Sequence, residues 1–274
     1  MPEDSKSKYL VAVVVFFYRD HLLEHEEISL RHLDYYLSSY DRYIIKPPGL
    51  NVSRPGYMVK TFPERYFRSR RANGRLLLKN EFYSAFSSYQ YVLNHELDSI
   101  VFSDKLRYWV EKGYDYIGAP WLGDVIDHQA GYNFPYGGVD AVGNGGFSLR
   151  KISTFMKVIE TARQPIPKIT GEFVRALICP RQKRYHPDFF KNLQVTWSRT
   201  ASHRTLMNED NYWGFEAKKI FPDFNLPSLE EALKFSFEGD PHRCFERNNH
   251  ELPFGSHAWH VCNADFWQPY LLKK

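Results

Sequence analysis

The sequence has little cysteine, no strong excess of either charge and no long hydrophobic segment. Its three cysteines are an odd number without the spacing of a disulfide framework, which favours a reducing compartment. The 36 basic and 32 acidic residues give a net charge of +4, too small to indicate a nucleic-acid-binding protein. Residues 1–8 lack the apolar segment of a signal peptide, and no apolar run is long enough to span a bilayer. These absences predict a cytoplasmic protein that binds no nucleic acid.

Aromatic residues are abundant, since Phe, Tyr and Trp make up 17% of the 274 residues. Such side chains favour burial, and their flat rings also form surfaces on which sugars and nucleobases stack. A chain of this length without an internal repeat is most simply one α/β domain with a sizeable core.

Apolar runs typical of strands alternate with helical patterns along the first half of the chain. Residues 9–17 are the most hydrophobic run and predict a buried first strand, and leucines with helical spacing follow over residues 22–37. Short runs at 43–45 and 57–62 predict two further strands. The alternation predicts a Rossmann-like α/β sheet flanked by crossover helices.

The most informative stretch is residues 89–104, in which an apolar run leads into two carboxylates. In extended chain Glu96 and Asp98 would share one face while Leu97 points into the core. Adjacent carboxylates repel each other unless a cation or a proton lies between them. Because ligands of open α/β sheets bind beyond the carboxyl ends of the strands, the pair indicates a divalent-cation and diphosphate site. The alternative is a polar turn in which Asp104 caps the next helix.

Two other segments are candidates for the same diphosphate site. Tyr18 and Arg19 follow the first strand, and the arginine-rich residues 65–75 precede a helix predicted for 76–86. Arg75 lies beside the expected helix start, where unpaired N–H groups and the helix dipole favour an anion. The alternative is a solvated loop whose arginines pair with acidic neighbours. A nucleic-acid-binding stripe is disfavoured because no such motif accompanies it.

The second half of the chain contains a long loop and a glycine cluster. The loop over residues 119–142 is rich in Gly, Tyr and Asp, and its length indicates a lid that orders over a ligand. The segment Asn144-Gly145-Gly146 then opens a strand. Crowded glycines there indicate either close approach of the backbone to a ligand or a β-bulge.

Acidic residues and a late histidine complete the candidates. Asn208, Glu209 and Asp210 open a helical segment, and helix capping accounts for the first two but does not require Asp210. His257 lies in an aromatic segment near the end of the chain. Such a histidine is either a structural residue or the additional ligand that a cation site at Asp98 would need.

Four pieces of the sequence together resemble one family. They are YQYVLNHELDSIVFSDKLRYWVEKGYDYIGAPW, VGNGGFSLRK, NEDNYW and LPFGSHAWH, in this order. The pieces resemble a mostly bacterial family of uncharacterised proteins that is similar to GT-A glycosyltransferases, and the resemblance extends over residues 9–267. It implies one GT-A-like domain over residues 1–274 with a mixed sheet, a nucleotide-sugar half at 9–118 and an acceptor and catalytic half at 119–267. The motif order is also similar to that of β-1,4-galactosyltransferases.

The resemblance implies a role for each matching residue. Asp98 corresponds to the last residue of an Asp-x-Asp metal motif, in which Glu96 replaces the first Asp, and His257 to a late metal-binding histidine. Glu209 and Asp210 correspond to a catalytic acidic pair with Asp210 as the base. The residues expected to contact the acceptor or its sugar are Trp121, Asn144, Gly145, Gly146 and Trp213.

The implied function is inverting transfer of a sugar from a nucleoside-diphosphate donor, most simply a UDP-sugar, to a glycan or glycolipid in polysaccharide biosynthesis. Mn²⁺ or Mg²⁺ on Glu96, Asp98 and His257 would stabilise the leaving diphosphate, and a carboxylate would take the proton of the acceptor hydroxyl. Glu in place of Asp at position 96 puts a strict need for metal in question. The arginine-rich segment would dock the protein peripherally at the inner face of a membrane.

Two other functions stay open on the sequence. A glycoside hydrolase also uses paired carboxylates and aromatic surfaces, and an inactive sugar- or nucleotide-binding module can have the same fold. Consumption of a nucleotide sugar distinguishes the transferase from the hydrolase, and binding without turnover indicates the module.

Overall fold

The protein is described by a computed structural model over residues 10–122, 140–163 and 208–273. The strands in chain order are β1 (Val11–Phe16), β2 (Asp41–Lys46), β3 (Tyr57–Thr61), β4 (Tyr91–His95), β5 (Ile100–Val101), β6 (Tyr116–Gly118), β7 (Pro120–Trp121), β8 (Ala141–Val142), β9 (Phe147–Lys151), β10 (Ser236–Phe237) and β11 (Gly255–Ser256). The helices are α1 (Glu24–Tyr36), α2 (Arg70–Leu76), α3 (Asn80–Ser84), α4 (Leu106–Glu111), α5 (Ile152–Arg163), α6 (Glu209–Asn211), α7 (Ala217–Ile220), α8 (Leu229–Phe235), α9 (Pro241–Arg247) and α10 (Ala264–Trp267). A π-helical turn, Tyr212–Glu216, joins α6 to α7.

A six-stranded mixed sheet in the order β3-β2-β1-β4-β9-β6 forms the centre of the fold. Strands β3, β2, β1 and β4 are parallel to one another, whereas β9 runs antiparallel to both β4 and β6. The two halves expected from the resemblance therefore share one sheet, because β9 of the second half lies between two strands of the first. This arrangement confirms the predicted mixed α/β sheet flanked by helices.

The first strand is buried on both faces, as its unbroken apolar run predicted. Its alternate residues belong to two separate cores: Val14 packs with Phe82 of α3 and Phe155 of α5, whereas Val13 packs with Leu33 of α1. Helices thus cover both faces of the sheet, and this burial places the polar chain that follows β1 and β4 at one edge.

The second part of the arginine-rich segment is helical, which corrects the prediction that the helix begins at residue 76. Ser69 caps α2, because its Oγ accepts a hydrogen bond from the Ala72 N–H, and Asn73 and Gly74 lie inside that helix. A separate short helix, α3, follows within the range predicted as one helix. The serine cap three residues before Ala72 outweighs the turn preference of Asn-Gly.

The two carboxylates after β4 lie in a turn instead of extended chain. The Ser99 N–H donates a hydrogen bond to the Glu96 carbonyl at 2.9 Å, which closes a turn before β5. Leu97 is buried in the core, as predicted, and Glu96 and Asp98 remain partly exposed. A turn therefore produces the shared orientation that strand geometry had predicted.

Two features complete the description of the fold. A small sheet in the order β10-β11-β5 lies beside the Glu96–Asp98 turn, and most of the predicted lid lies outside the described residues. In the part of the chain that the structure describes, no helix has the length and apolar character needed to cross a membrane.

Candidate active site

Glu96, Asp98 and His257 form a cluster of metal-ligating side chains. One donor atom from each lies within 4.8 Å of the others. The His257 Nε2 atom is 3.4 Å from Asp98 Oδ1 and 3.5 Å from Glu96 Oε2. Antiparallel pairing of β5 with β11 brings His257, the residue after β11, to the turn that follows β4. The structure thus assembles the three predicted metal ligands at one place.

The donor set fits a divalent cation. Glu238 Oε2 lies 2.7 Å from His257 Nδ1, an arrangement that holds the Nδ1 proton and directs Nε2 toward Glu96 and Asp98, where a metal would take the place of the Nε2 proton. Nε2 is buried, and at 3.4 and 3.5 Å the Asp98 and Glu96 carboxylate oxygens make only long contacts with it. Two carboxylates and one imidazole are ligands that Mn²⁺ accepts, and the carboxylates also suit Mg²⁺.

Charges at this cluster favour a bound cation. Burial lowers the pKa of His257, but the negative charges of Glu238 and Asp98 outweigh burial and raise it well above its ordinary value. Burial raises the pKa of Asp98, but the charge of His257 outweighs this effect, so the pKa of Asp98 falls. Three carboxylates therefore surround one imidazole, and the surplus negative charge attracts a cation.

The glycine pair separates the metal cluster from the acidic pair. A Cβ atom on Gly146 would lie 2.1 Å from the His257 ring, and one on Gly145 would lie 2.4 Å from Glu209 Oε1. Asn144 Oδ1 accepts the Gly146 N–H at 2.9 Å. Close approach of site side chains to the backbone, which no larger residue allows, explains the paired glycines.

Glu209 forms a buried ion pair with Arg150. The guanidinium donates to both carboxylate oxygens, at 2.9 and 3.1 Å, and the Arg150 side chain has no exposed surface. Within the described residues the Asn208 side chain makes no capping hydrogen bond, so capping does not explain this segment. Both Glu209 oxygens are used by Arg150, which makes Glu209 a poor candidate for a proton acceptor.

Asp210 has a strongly perturbed carboxyl group. Burial and then the negative charge of Glu209 raise the pKa of Asp210 from 3.8 to about 7. Its Oδ1 accepts the Asn211 N–H at 2.7 Å, and the residue remains partly exposed. A carboxylate with a pKa near neutrality accepts a proton more readily than an ordinary aspartate does.

Comparison with known proteins agrees with this architecture. A family described as "protein of unknown function (DUF5672)" matches residues 56–257. This chain belongs to that family. No curated protein matches the sequence.

The fold of this family member is similar to that of solved glycosyltransferase structures. The galactosyltransferase LgtC, in complex with donor and acceptor sugar analogs, is 13% identical, with a TM-score of 0.51 over 96% of this chain and 97% of that one. The glycosyltransferase GlyE of Streptococcus pneumoniae is 15% identical and covers 98% of this chain and 61% of its own, with a TM-score of 0.38. The likeness to LgtC establishes the GT-A glycosyltransferase fold for this DUF5672 protein.

The two tryptophans expected to contact a sugar are both buried in the structure. Trp213 is 0% exposed, and its ring stacks on Phe155 with centroids 3.9 Å apart. Trp121 is 5% exposed and stacks on Phe215. Both indoles fill the core, so neither presents a face on which a sugar could stack.

The donor-side candidates take different positions. Burial and then the negative charges of Glu96 and Asp98 raise the pKa of the Tyr18 phenol, so Tyr18 lies near the metal cluster. Arg19 instead pairs with buried Glu26 at 2.6 Å. Arg75 is exposed near the end of α2, whereas the charge of Arg70 at the start of α2 contributes to the lowered pKa of Asp98.

Sequence reasoning missed Arg70, Glu238 and the role of Arg150. The cationic segment containing Arg70 was identified, but the wrong helix start directed attention to Arg75. Arg150 stands in the VGNGGFSLRK piece, and its position on a buried strand was the available signal for an internal ion pair. Glu238 follows a two-residue strand, and no local pattern marks it.

Proposed function

We propose that this protein is a metal-assisted glycosyltransferase that transfers a sugar from a nucleoside-diphosphate donor to a hydroxyl group of a glycan or glycolipid. One observation carries the proposal. A Glu96–Asp98–His257 cluster, suited to a divalent cation, lies across the glycine pair from Asp210, a carboxyl group with a raised pKa, in a GT-A fold.

The metal cluster supports a role in donor binding. Glu96, Asp98 and His257 would hold Mn²⁺ or Mg²⁺, which supplies charge stabilisation for a leaving diphosphate. The charges of Glu96 and Asp98 add to burial in raising the pKa of Tyr18, and Arg70 contributes to the lowered pKa of Asp98, which supports contact of Tyr18 and Arg70 with the diphosphate. A guanidinium suits phosphate oxygens because it donates several hydrogen bonds in one plane.

The properties of Asp210 support a role for this residue on the acceptor side. A sugar hydroxyl is a weak nucleophile, so a positioned base must remove its proton during transfer. The raised pKa favours Asp210 for this role. Glu209, which Arg150 holds in an ion pair, contributes to that raised pKa through its negative charge. Transfer with one base and no protein nucleophile inverts the anomeric centre, and we propose this outcome.

Several finer features belong to the same proposal. The order of the motifs, which is similar to that of β-1,4-galactosyltransferases, favours a UDP-sugar as donor. The exposed arginines of residues 65–75 favour peripheral contact with an anionic membrane that carries a glycolipid acceptor. We propose that the transfer takes place in the cytoplasm and belongs to polysaccharide biosynthesis.

A screen of nucleotide sugars with and without Mn²⁺ tests the function. Release of nucleoside diphosphate from one donor, dependent on Mn²⁺ and increased by an acceptor, is the expected result. Cleavage of a glycoside without a nucleotide sugar would identify a hydrolase instead. Donor binding without turnover across the whole panel would identify a binding module.

A further inference from the structure

Arg150 donates hydrogen bonds to three other residues besides its ion-pair partner Glu209. Its Nε donates to Ser148 Oγ at 2.9 Å, Nη1 donates to Tyr83 and Glu209 at 3.4 and 3.1 Å, and Nη2 donates to Glu209 and the Gly145 carbonyl at 2.9 and 3.1 Å. A guanidinium has five N–H groups, so every donor has a partner. The side chain is 0% exposed.

The Gly145 carbonyl is held by three donors at once. Arg150 Nη2, Asn94 Nδ2 and Ser148 Oγ donate to it, the last two at 2.7 and 2.9 Å. The next carbonyl, that of Gly146, accepts hydrogen bonds from the backbone N–H of Glu96 and the hydroxyl of Ser99. The backbone between the metal cluster and the acidic pair is therefore fixed on both sides.

Stability alone does not account for this arrangement. Removing two charges from water is costly, and apolar residues of similar volume often replace a buried ion pair at equal or better stability. The ion pair joins β9 to the start of α6, and its two residues, Arg150 and Glu209, lie 59 positions apart in the sequence. A network that connects distant elements in one geometry is suited to placing a neighbouring group.

We propose that Arg150 is a positioning residue, which holds Glu209 and the start of α6 so that Asp210 faces the acceptor side of the glycine pair. This inference rests on the proposed function, because the placement of Asp210 matters if Asp210 is the base. Arg150 itself has no exposed surface and touches no substrate.

The groups that face Asp210 allow a distinctive measurement. Glu209 on the same helix and Glu238 after β10 raise the pKa of Asp210, whereas Arg150 from β9 lowers it. Burial chiefly raises the pKa of the Tyr116 phenol of β6, and the charge of Asp210 adds a smaller increase, so this phenol also lies near Asp210. Removal of the Glu209 charge alone should therefore move the acid limb of the rate profile to lower pH.

Arg150→Lys is the first test. Lysine keeps the charge but cannot bind both Glu209 oxygens, Ser148 and the Gly145 carbonyl together, and misplacement of a catalytic group by about 1 Å costs about 10²-fold in rate. We expect kcat to fall by about that factor while the thermal shift given by UDP and Mn²⁺ is retained. Arg42→Lys is the matched control. Arg42 is a buried arginine of β2 that pairs with Asp34 of α1, away from the site.

Two further variants keep the inference decidable if Arg150→Lys does not fold. Ser148→Ala removes the acceptor of Arg150 Nε and should lower kcat by about 3- to 10-fold, within the ordinary value of one buried hydrogen bond. Glu209→Gln should lower kcat and shift the acid limb of kcat/KM downward by about half a pH unit or more.

Normal kcat in Arg150→Lys, or in Ser148→Ala where the first variant is unfolded, would overturn the positioning role. An equal loss in Arg42→Lys would do the same, because it would identify general destabilisation as the cause. An acid limb that stays in place in Glu209→Gln would also contradict it. Failure of the proposed function has another signature, since the wild-type protein would then show neither a nucleotide-dependent thermal shift nor donor turnover.

Discussion

Substitution of Asp210 by asparagine should increase stability while it removes activity. The folded-state pKa of Asp210 is about 7, against an ordinary value of 3.8, because burial and Glu209 disfavour the carboxylate. Asparagine has the same shape and never ionises. The variant therefore escapes the cost of holding a charge at this position and loses the proton acceptor.

The sign and the pH range follow from the raised pKa. Below about pH 4 Asp210 is protonated in both the folded and unfolded chains, so its contribution to stability is fully present there. As the pH rises toward 7 the unfolded chain ionises while the folded protein keeps the proton, and the contribution is lost. The stability of the variant relative to wild type should thus rise between pH 4 and 7 and level off above pH 8.

The magnitude is a few kcal/mol at most. Each pH unit of difference corresponds to about 1.4 kcal/mol, so a fully buried group with this pKa would give about 4 kcal/mol. Asp210 is partly exposed, and solvent screening reduces the value. We expect a gain of about 1–3 kcal/mol at pH 8.

Urea unfolding of both proteins from pH 5 to 8 measures the effect. Asp223→Asn, the same substitution at an exposed position after α7, is the control for the change of residue type. Turnover of Asp210→Asn should fall by about 10²- to 10⁴-fold with donor binding retained. A variant that is no more stable at pH 8 than at pH 5, relative to wild type, would refute the reasoning.

Three other predictions concern the metal cluster. Asp98→Ala should abolish the thermal shift given by UDP with Mn²⁺, which at a hundredfold excess over Kd corresponds to about 2.7 kcal/mol; a shift of wild-type size would exclude Asp98 as a ligand. Gly146→Ala should also abolish the shift, because its Cβ would lie 2.1 Å from the His257 ring, whereas Gly49→Ala, with no atom within 4 Å, should retain it. Glu238→Gln should weaken Mn²⁺ binding about 10- to 100-fold by calorimetry, since Glu238 orients His257; unchanged affinity would remove Glu238 from the site.

Local sequence patterns predicted most of the framework. The apolar run of β1 and the leucine spacing of α1 depend on neighbouring residues, and both are present in the structure. The start of the helix in the arginine-rich segment was wrongly predicted because two local signals compete there, the Ser69 cap and the turn preference of Asn73-Gly74. Trp213 was predicted as a sugar contact but lies buried in the core, because an aromatic residue fits a sugar platform and a core equally well until its neighbours are known.

The candidate site could be predicted only in part. Asp98, His257 and Asp210 were identified through the resemblance, since spacing alone left the alternatives open. Glu209 was identified as well, but its partner was not, because an ion pair between residues 59 apart leaves no local pattern. Glu238 has the same difficulty, as only its contact with His257 distinguishes it from other surface carboxylates.

The sequence by itself determined which segments are buried strands, where the polar chain follows them and which residue types are available for metal and proton chemistry. These properties depend on side-chain hydrophobicity and short spacing, which fold locally. Only the tertiary structure decided which polar groups meet. Pairing of β5 with β11 brings His257 to Asp98, and packing of α6 against β9 buries Glu209 on Arg150. Such contacts depend on how distant elements share one core, and no short stretch of sequence contains that information.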